Sequence, residues 1–258
     1  MTSQGPFLTA LCLLASLFLF GCGANTTTSP VQVPGRATTT KSAVLEAGAA
    51  ALQSMPPLQQ LNMYLDGLHF AADDMSHQIE THHYCAQLNE EVHQCALYDG
   101  NGAEAKLIGV EYIISERLFS QLPPQEKAFW HSHRYEVKSG QLIMPGIPTR
   151  IEREAMEKLV STYGKTWHAW HTDRGDQLPY GIPQLMMGFT SDGQASPALL
   201  QARDQRFGVS TDAKVQDRQG IPSPTIQPGA DAWENGSTVQ LGTTKVPVRN
   251  LHGGREAR

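Results

Sequence analysis

The sequence predicts an α+β fold: a single domain with a mainly antiparallel sheet and inserted amphipathic helices. Short apolar or alternating segments are separated by short turns, and helical periodicity occurs only between some of them. The composition is that of an ordinary folded chain, with 258 residues of which 40% are hydrophobic and 17% charged. The net charge of −5 argues against a nucleic-acid partner. Neither a dinucleotide-binding nor a P-loop glycine motif supports a nucleotide-binding function.

The amino-terminal segment predicts export and lipid attachment. Residues 7–21 form an apolar run without charge, shorter than the roughly 20 residues that a membrane-spanning helix needs. We therefore predict a signal peptide over residues 1–21. The run ends in Leu19-Phe20-Gly21-Cys22, which resembles the lipobox of bacterial lipoproteins and predicts acyl chains such as palmitate on Cys22. The alternative is a buried apolar helix, or a plain signal peptide with a chance cysteine.

A tether is predicted after the lipidated cysteine, over residues 22–41. This stretch is rich in Thr, Pro and Gly and has no apolar periodicity, which is typical of a flexible linker. The mature chain would then contact a membrane lipid surface through its anchor. The expected location is the cell envelope, at the periplasmic face of the outer membrane if the host has two membranes.

The domain itself is predicted over residues 42–206, and its first half contains helices followed by strands. An Ala-rich stretch after the tether is helix-prone. Leucines then follow at spacings of three, four and three, which predicts one apolar helix face at Leu58, Leu61, Leu65 and Leu68. Residues 80–88 and 92–99 are predicted to form a hairpin that turns around residue 90. Residues 106–115 form the strongest strand, apolar on both faces and therefore expected to be central.

The second half alternates in the same irregular way. Residues 122–133 predict a helix that begins at two prolines, and 135–144 a strand. Thr149 and Glu152 are spaced as a capping box, so we predict a helix from there to a stop at Gly164. Residues 166–173 and 184–190 predict two further strands. Residues 207–258 are rich in Pro and Gly and are predicted to be a tail that either wraps over the domain or hangs loose.

Several unusual runs resemble one known family. They are His82-His83-Tyr84-Cys85, the run from Leu107 to Glu116, Trp130-His131-Ser132-His133, and the run from Tyr163 to His168. Together they resemble the oil-body-associated protein family, over about residues 57–236. The resemblance implies contact with a lipid surface and supplies no reaction, no catalytic residue and no protein partner. The predicted function is therefore a membrane-tethered, non-catalytic protein of a lipid or envelope surface.

The histidines suggest an alternative function, because nine of the ten lie between His69 and His171. Residues two apart in a strand share a face, so His83 and Cys85 project together, as do His93 and Cys95. Imidazole and thiolate groups are ligands of zinc, copper and nickel. If a metal such as zinc is bound, the predicted ligands are His83, Cys85, His131 and His133. The protein would then be a metal-binding protein or a metal-dependent enzyme.

Two further questions stay open at the level of sequence. Each imidazole could instead be satisfied by a neighbour inside the core. Acid–base chemistry would add His168 and one of the carboxylates Glu111, Asp173 and Asp176, none of which has a distinctive spacing. Cys85 and Cys95 lie opposite each other if the hairpin is centred on residue 90, so they either form a disulfide or remain reduced.

Overall fold

The fold is built around a closed antiparallel sheet. The computed structural model describes residues 25–247, and all strand and helix bounds below refer to that range. Strands β1 to β8 are Met63–Ala71, Asp74–Asn89, Val92–Tyr98, Leu107–Ser115, His131–Ser132, Thr162–His168, Gln184–Met187 and Pro228–Asp231. Six of them pair in the order β4-β3-β2-β1-β7-β6, and β6 pairs again with β4. The sheet is therefore a six-stranded antiparallel barrel, to which β5 adds a short pairing with β6.

The helices are inserted between strands, as the α+β prediction expects. Helices α1 to α7 are Thr40–Leu52, Glu116–Ser120, Pro124–Lys127, Arg134–Lys138, Thr149–Leu159, Pro197–Phe207 and Thr211–Asp217. Single 3₁₀ turns lie at Leu58–Gln60, Thr172–Arg174 and Ala232–Asn235. None of the helices in the described part of the chain is long and apolar enough to span a membrane.

The helix predicted for the leucine-rich segment is wrong beyond its first turn, because β1 begins at Met63. The strand lies between β2 and β7, and its residues from Leu65 onward are buried on both faces. Leu65 packs in one apolar cluster and Leu68 in another. A strand that is buried on both faces does not alternate between apolar inward and polar outward residues. The spacing of its leucines can therefore coincide with that of a helix.

The hairpin of β2 and β3 has the predicted register. Cys85 lies opposite Cys95, and the two sulfur atoms form a disulfide. The turn is closed by Asn89, whose side-chain oxygen accepts a hydrogen bond from the Glu91 amide at 2.8 Å. β4 follows and pairs with β3 on one edge and β6 on the other, as each strand of the closed barrel has two neighbours. The expectation that β4 is buried on both faces is wrong, because Leu107, Val110 and Tyr112 are 40 to 52% exposed.

Three local predictions in the second half fail. The strand predicted at 135–144 is replaced by α4 and a loop, in which Ile143 makes a single bridge to Asp66. The capping box is also absent, because Pro148 is the N-cap of α5. Glu152 instead turns into the protein, where it accepts a hydrogen bond from the Met144 amide at 3.0 Å and pairs with Arg218 at 3.2 Å. α5 ends at Leu159, and the predicted stop, Gly164, lies inside β6.

The predicted flanking segments pack onto the barrel. Beyond residue 207, Arg218 is fully buried, and Trp233 packs edge-on against Phe70 with ring centroids 5.0 Å apart. On the amino-terminal side, the Thr27 amide donates to Asn101 at 2.7 Å, and Val31 is buried. Both boundaries predicted from composition therefore cut through segments that contact the domain, since single anchoring residues contribute little to composition.

Candidate functional site

Buried histidines and glutamates meet inside the barrel, in what we call the histidine–glutamate centre. Its members come from β1, β2, β4, β5 and the start of α4, and each is between 0 and 4% exposed. They are His69, His83, Glu111, His131, His133 and Glu136. Charged and imidazole side chains are seldom buried so completely without a specific partner. The closed barrel assembles the centre, because β6 pairs with β4, which contains Glu111, and with β5, which contains His131 and is followed by His133.

Glu111 is the middle of this centre. One carboxylate oxygen, Oε2, lies 3.0 Å from His83 Nε2. The other, Oε1, lies 3.2 Å from His133 Nε2 and 3.5 Å from His131 Nε2. A single carboxylate thus contacts three imidazoles that come from three separate elements of the fold.

The far nitrogens of two of these imidazoles are committed to other groups. His83 Nδ1 lies 3.0 Å from the Thr81 carbonyl oxygen, which can only accept, so Nδ1 donates. His133 Nδ1 lies 2.8 Å from the Thr162 hydroxyl. That hydroxyl donates its own proton to the Leu159 carbonyl at 2.7 Å, so it accepts from His133. In their neutral forms, both imidazoles therefore direct an Nε2 lone pair at the Glu111 carboxylate.

Other imidazole nitrogens in this region have no hydrogen-bond partner among the described residues. Both ring nitrogens of His131, Nδ1 of His69 and Nε2 of His168 are buried in this state. The His69 ring lies 5.0 Å from that of His83 and 5.6 Å from those of His131 and His168, measured between centroids. Buried polar atoms without partners are uncommon and call for a specific explanation.

The electrostatics of the centre favour an ionised Glu111 and neutral His69, His131 and His168. Burial alone would raise the pKa of Glu111, but its contacts with His133 and His83 lower that pKa well below its usual value. Burial lowers the pKa of His131 and His168 to about 3, and that of His69 well below its ordinary range. Burial and the charge of Glu111 have the opposite effect on Glu136, whose pKa is raised well above normal.

Glycines make room for these side chains. A β-carbon on Gly164 would lie 2.7 Å from His131 Nε2 and closer still to Glu111 Oε1. A β-carbon on Gly188 would lie 2.6 Å from Glu136 Oε1. The remaining cavity, lined by His69, His83, Glu111, His133 and Glu136 with apolar neighbours, has a volume of about 10 Å³. That volume suits one atom-sized occupant, such as an ion or a water molecule, and excludes an organic substrate.

The residues predicted as metal ligands are only partly brought together. His83, His131 and His133 all contact Glu111. Cys85 does not join them, because its sulfur is bonded to Cys95, and a disulfide sulfur is not a thiolate ligand. Cys22, which is predicted separately as the site of lipid attachment, lies outside the described residues.

Of the predicted acid–base candidates, Glu111 alone lies in the centre. Asp173 instead pairs with His77, and Asp176 is half-buried and accepts a hydrogen bond from Trp170 through its backbone oxygen. Sequence reasoning missed His69 and Glu136 as members of the centre. His69 lies in the histidine-dense region, but it directly follows leucines whose spacing predicts a helix. Glu136 lies in the 135–144 segment, whose pattern predicts a strand.

A second feature is an apolar surface at the amino-terminal side, which we call the α1 surface. None of the residues of α1 is buried, and Val44, Leu45, Leu52 and Leu58 are 60 to 88% exposed. Residues 37–62 contain only two charged residues, Lys41 and Glu46. Next to Leu58 lies a groove of about 330 Å³, lined by Leu61, Tyr84, Tyr98 and small residues of the 100–105 loop.

These observations define an antiparallel barrel protein with a buried histidine–glutamate centre and an exposed apolar surface. Comparison with family models then places it: residues 55–222 match the family described as Protein of unknown function (DUF1264), and the chain belongs to that family. No solved structure matches the chain.

The similar curated proteins come from plants. Oil body-associated protein 1B of Arabidopsis thaliana is 44% identical over 230 residues, covering 88% of this chain and 95% of the relative. Oil body-associated protein 1A of Zea mays is 45% identical over 225 residues, covering 86% and 94%. The resemblance to oil-body-associated proteins is therefore confirmed. The expected location in the cell envelope, at an outer membrane, is wrong by this comparison, because these relatives are plant proteins named for oil bodies.

Proposed function

We propose that this protein associates with lipid surfaces of the oil-body kind and has a non-catalytic role there. The observation that carries the proposal is the set of relatives at 40–45% identity, all named oil body-associated proteins. The α1 surface supports it, because it exposes several large apolar side chains in a segment with few charges, and exposed apolar patches are typical of sites that contact membranes or partners. The small volume beside the histidine–glutamate centre supports a non-catalytic role, since it has no room for an organic substrate.

Flotation with artificial oil droplets tests this function. Droplets of triacylglycerol covered by phosphatidylcholine are mixed with the full chain and separated by centrifugation, and the bound fraction is measured. We expect the wild type to float with the droplets. The variant with Leu45→Glu, Leu52→Glu and Leu58→Glu should be released, since each buried leucine contributes about 1–2 kcal/mol to transfer, and about 3 kcal/mol in total already lowers binding more than ~100-fold.

The matched control places the same three charges elsewhere. Leu107, Ile151 and Leu241 are 47 to 52% exposed and lie outside the α1 surface, so Leu107→Glu, Ile151→Glu and Leu241→Glu should leave droplet binding unchanged. Equal loss of binding in both triple variants would show that general charge, and not the α1 surface, decides it. A wild type that stays in the soluble fraction would contradict the proposed function.

Lipid attachment at Cys22 is a separate proposal, supported by the lipobox-like Leu19-Phe20-Gly21-Cys22. An acyl chain there would add a second contact with a lipid surface. Mass spectrometry of the native protein tests it. A mature chain that begins at Cys22 with added acyl mass is expected, and an unmodified Met1 would contradict it.

A further inference from the structure

The contact between Glu111 and its two nearest imidazoles requires something positive between them. Neutral His83 and His133 would each direct an Nε2 lone pair at a carboxylate oxygen 3.0 and 3.2 Å away. In each of these two contacts a nitrogen lone pair faces an oxygen lone pair in a dry interior and is repelled, and the cost is large where the effective dielectric constant is low. Either protons or a metal cation must therefore occupy the space between these atoms.

We propose that the histidine–glutamate centre binds a divalent first-row transition metal ion, with Glu111 and either the pair His131 and His133 or the pair His69 and His83 as ligands. His131 and His133 lie on the Oε1 side of Glu111 and His83 on the Oε2 side, and His69 groups with His83 and Glu111. Glu111 therefore belongs to both sets, while a third set in the centre joins His69, His131 and Glu136. The expected content is one to two ions per chain.

The distances fit coordination. Metal–nitrogen and metal–oxygen bonds of about 2.0–2.2 Å place neighbouring ligand atoms about 3.0–3.5 Å apart in octahedral or tetrahedral geometry. The contacts of Glu111 with His83, His133 and His131 are 3.0, 3.2 and 3.5 Å. The donor set of several imidazoles and one carboxylate suits zinc, iron, copper or nickel, and contains no ligand for a hard ion such as calcium beyond the carboxylates.

The surroundings of the ligands are also those of a metal site. A metal-ligating imidazole almost always donates its second N–H to a carbonyl or another oxygen, which fixes the tautomer and the ring orientation. His83 donates to the Thr81 carbonyl and His133 to the Thr162 hydroxyl. Protons alone on His83 and His133 would satisfy Glu111 but would leave both nitrogens of His131 without a partner. A metal ion would use one of them.

Two other clusters could compete for a cation. Asp66, Glu80 and His82 form one, and His77, His171 and Asp173 form the other. Each contains an arginine already, because Arg206 pairs with Glu80, and Arg174 contacts His77. A guanidinium next to a carboxylate or imidazole repels a metal ion, so these clusters bind metal less well. They supply the controls for the experiment.

The experiment uses the full chain purified without a histidine tag, loaded with Zn²⁺ or Co²⁺ and then dialysed against buffer. Three variants each replace one carboxylate by the amide of the same shape: Glu111→Gln, Asp66→Asn and Asp173→Asn. Elemental analysis should find one to two equivalents of metal in the wild type and in both controls, and at least a tenfold loss in Glu111→Gln. Failure of the wild type to retain metal, or loss in a control variant instead of Glu111→Gln, would overturn the proposal.

A second measurement tests the proposed metal site even if Glu111→Gln does not fold. X-ray absorption of the zinc-loaded wild type reports the ligands directly, without any variant. Scattering from two or more imidazoles with oxygen is expected. A sulfur ligand, or oxygen ligands alone, would place the metal elsewhere and refute the site. The outcome is independent of droplet flotation, so failure of the lipid proposal and failure of this one can be distinguished.

Discussion

Gly164→Ala is the most direct test of how tightly the barrel holds Glu111. Gly164 lies in β6, opposite Ile113 of β4 and His131 of β5. A β-carbon there would lie 2.7 Å from two atoms of the His131 ring and deep inside van der Waals contact with Glu111 Oε1. The carboxylate cannot move aside freely, because His83 and His133 contact its two oxygens from other directions.

The magnitude follows from two effects. Forcing one methyl group into a packed interior costs about 1–3 kcal/mol. Displacing a buried carboxylate from its hydrogen-bonding partners adds about 1–3 kcal/mol. The sum is about 2–6 kcal/mol, and at about 2–4 °C per kcal/mol for a domain of this size, the midpoint of thermal unfolding should fall by roughly 4–24 °C.

The assay is thermal unfolding followed by circular dichroism, with two graded glycine controls. A β-carbon on Gly67 would lie 3.2 Å from the flexible end of Leu142, so Gly67→Ala should have a smaller effect. Gly242 has no atom within contact distance, and Gly242→Ala should change the midpoint by less than about 2 °C. The reasoning would be refuted if Gly164→Ala melted together with Gly242→Ala, because Glu111 would then be free to move.

Three further outcomes are expected. Replacing Cys85 and Cys95 by alanine should lower the free energy of unfolding in urea by about 2–3 kcal/mol, as the loop that the disulfide closes is short; a stability equal to the wild type would contradict a formed bridge. Burial raises the pKa of Asp231 to about 6, so the native state binds a proton that the unfolded state has lost. The contribution of Asp231 to the free energy of unfolding should then fall by about 1–3 kcal/mol as the pH rises from about 4 to about 6, and the difference between wild type and Asp231→Asn in urea titrations at each pH should show this fall. A chain that ends at residue 206 should fail to give a cooperative thermal transition, because it lacks Arg218 and Trp233, which pack against the domain; a sharp transition near that of the full chain would show that residues 207–247 are dispensable.

Local pairing was predictable from the sequence where one signal dominated. The β2–β3 hairpin followed from a turn centred on residue 90, and the register of Cys85 against Cys95 came with it. β4 followed from its continuous apolar run, and α5 from its apolar stripe. These elements depend on contacts close in sequence, which pattern reasoning can detect.

The errors occurred where tertiary contacts override local preference. β1 is buried on both faces in the closed barrel, and its leucines then give no strand alternation. The 135–144 segment has strand-like composition but forms α4 and a loop. The helix places Glu136 in the centre, and the loop returns the chain to β1, where the Ile143 amide donates to the Asp66 carbonyl. Closure of a sheet between β4 and β6 leaves no local trace in either strand.

The same limit explains why three predicted ligands met and the fourth did not. Sharing a strand face places Cys85 on the same side as His83 but two residues further along, a distance of about 6.6 Å at 3.3 Å per residue. A metal site needs ligand atoms within about 4 Å of one another. Its ligands must therefore lie on the same face of the sheet and also at the same position along the strands. His131 lies opposite Gly164 in the pairing of β5 with β6. His131 and His133 thus contact the same carboxylate, Glu111, as His83 does. Cys85 instead lies opposite Cys95, and its sulfur forms the disulfide that links β2 to β3.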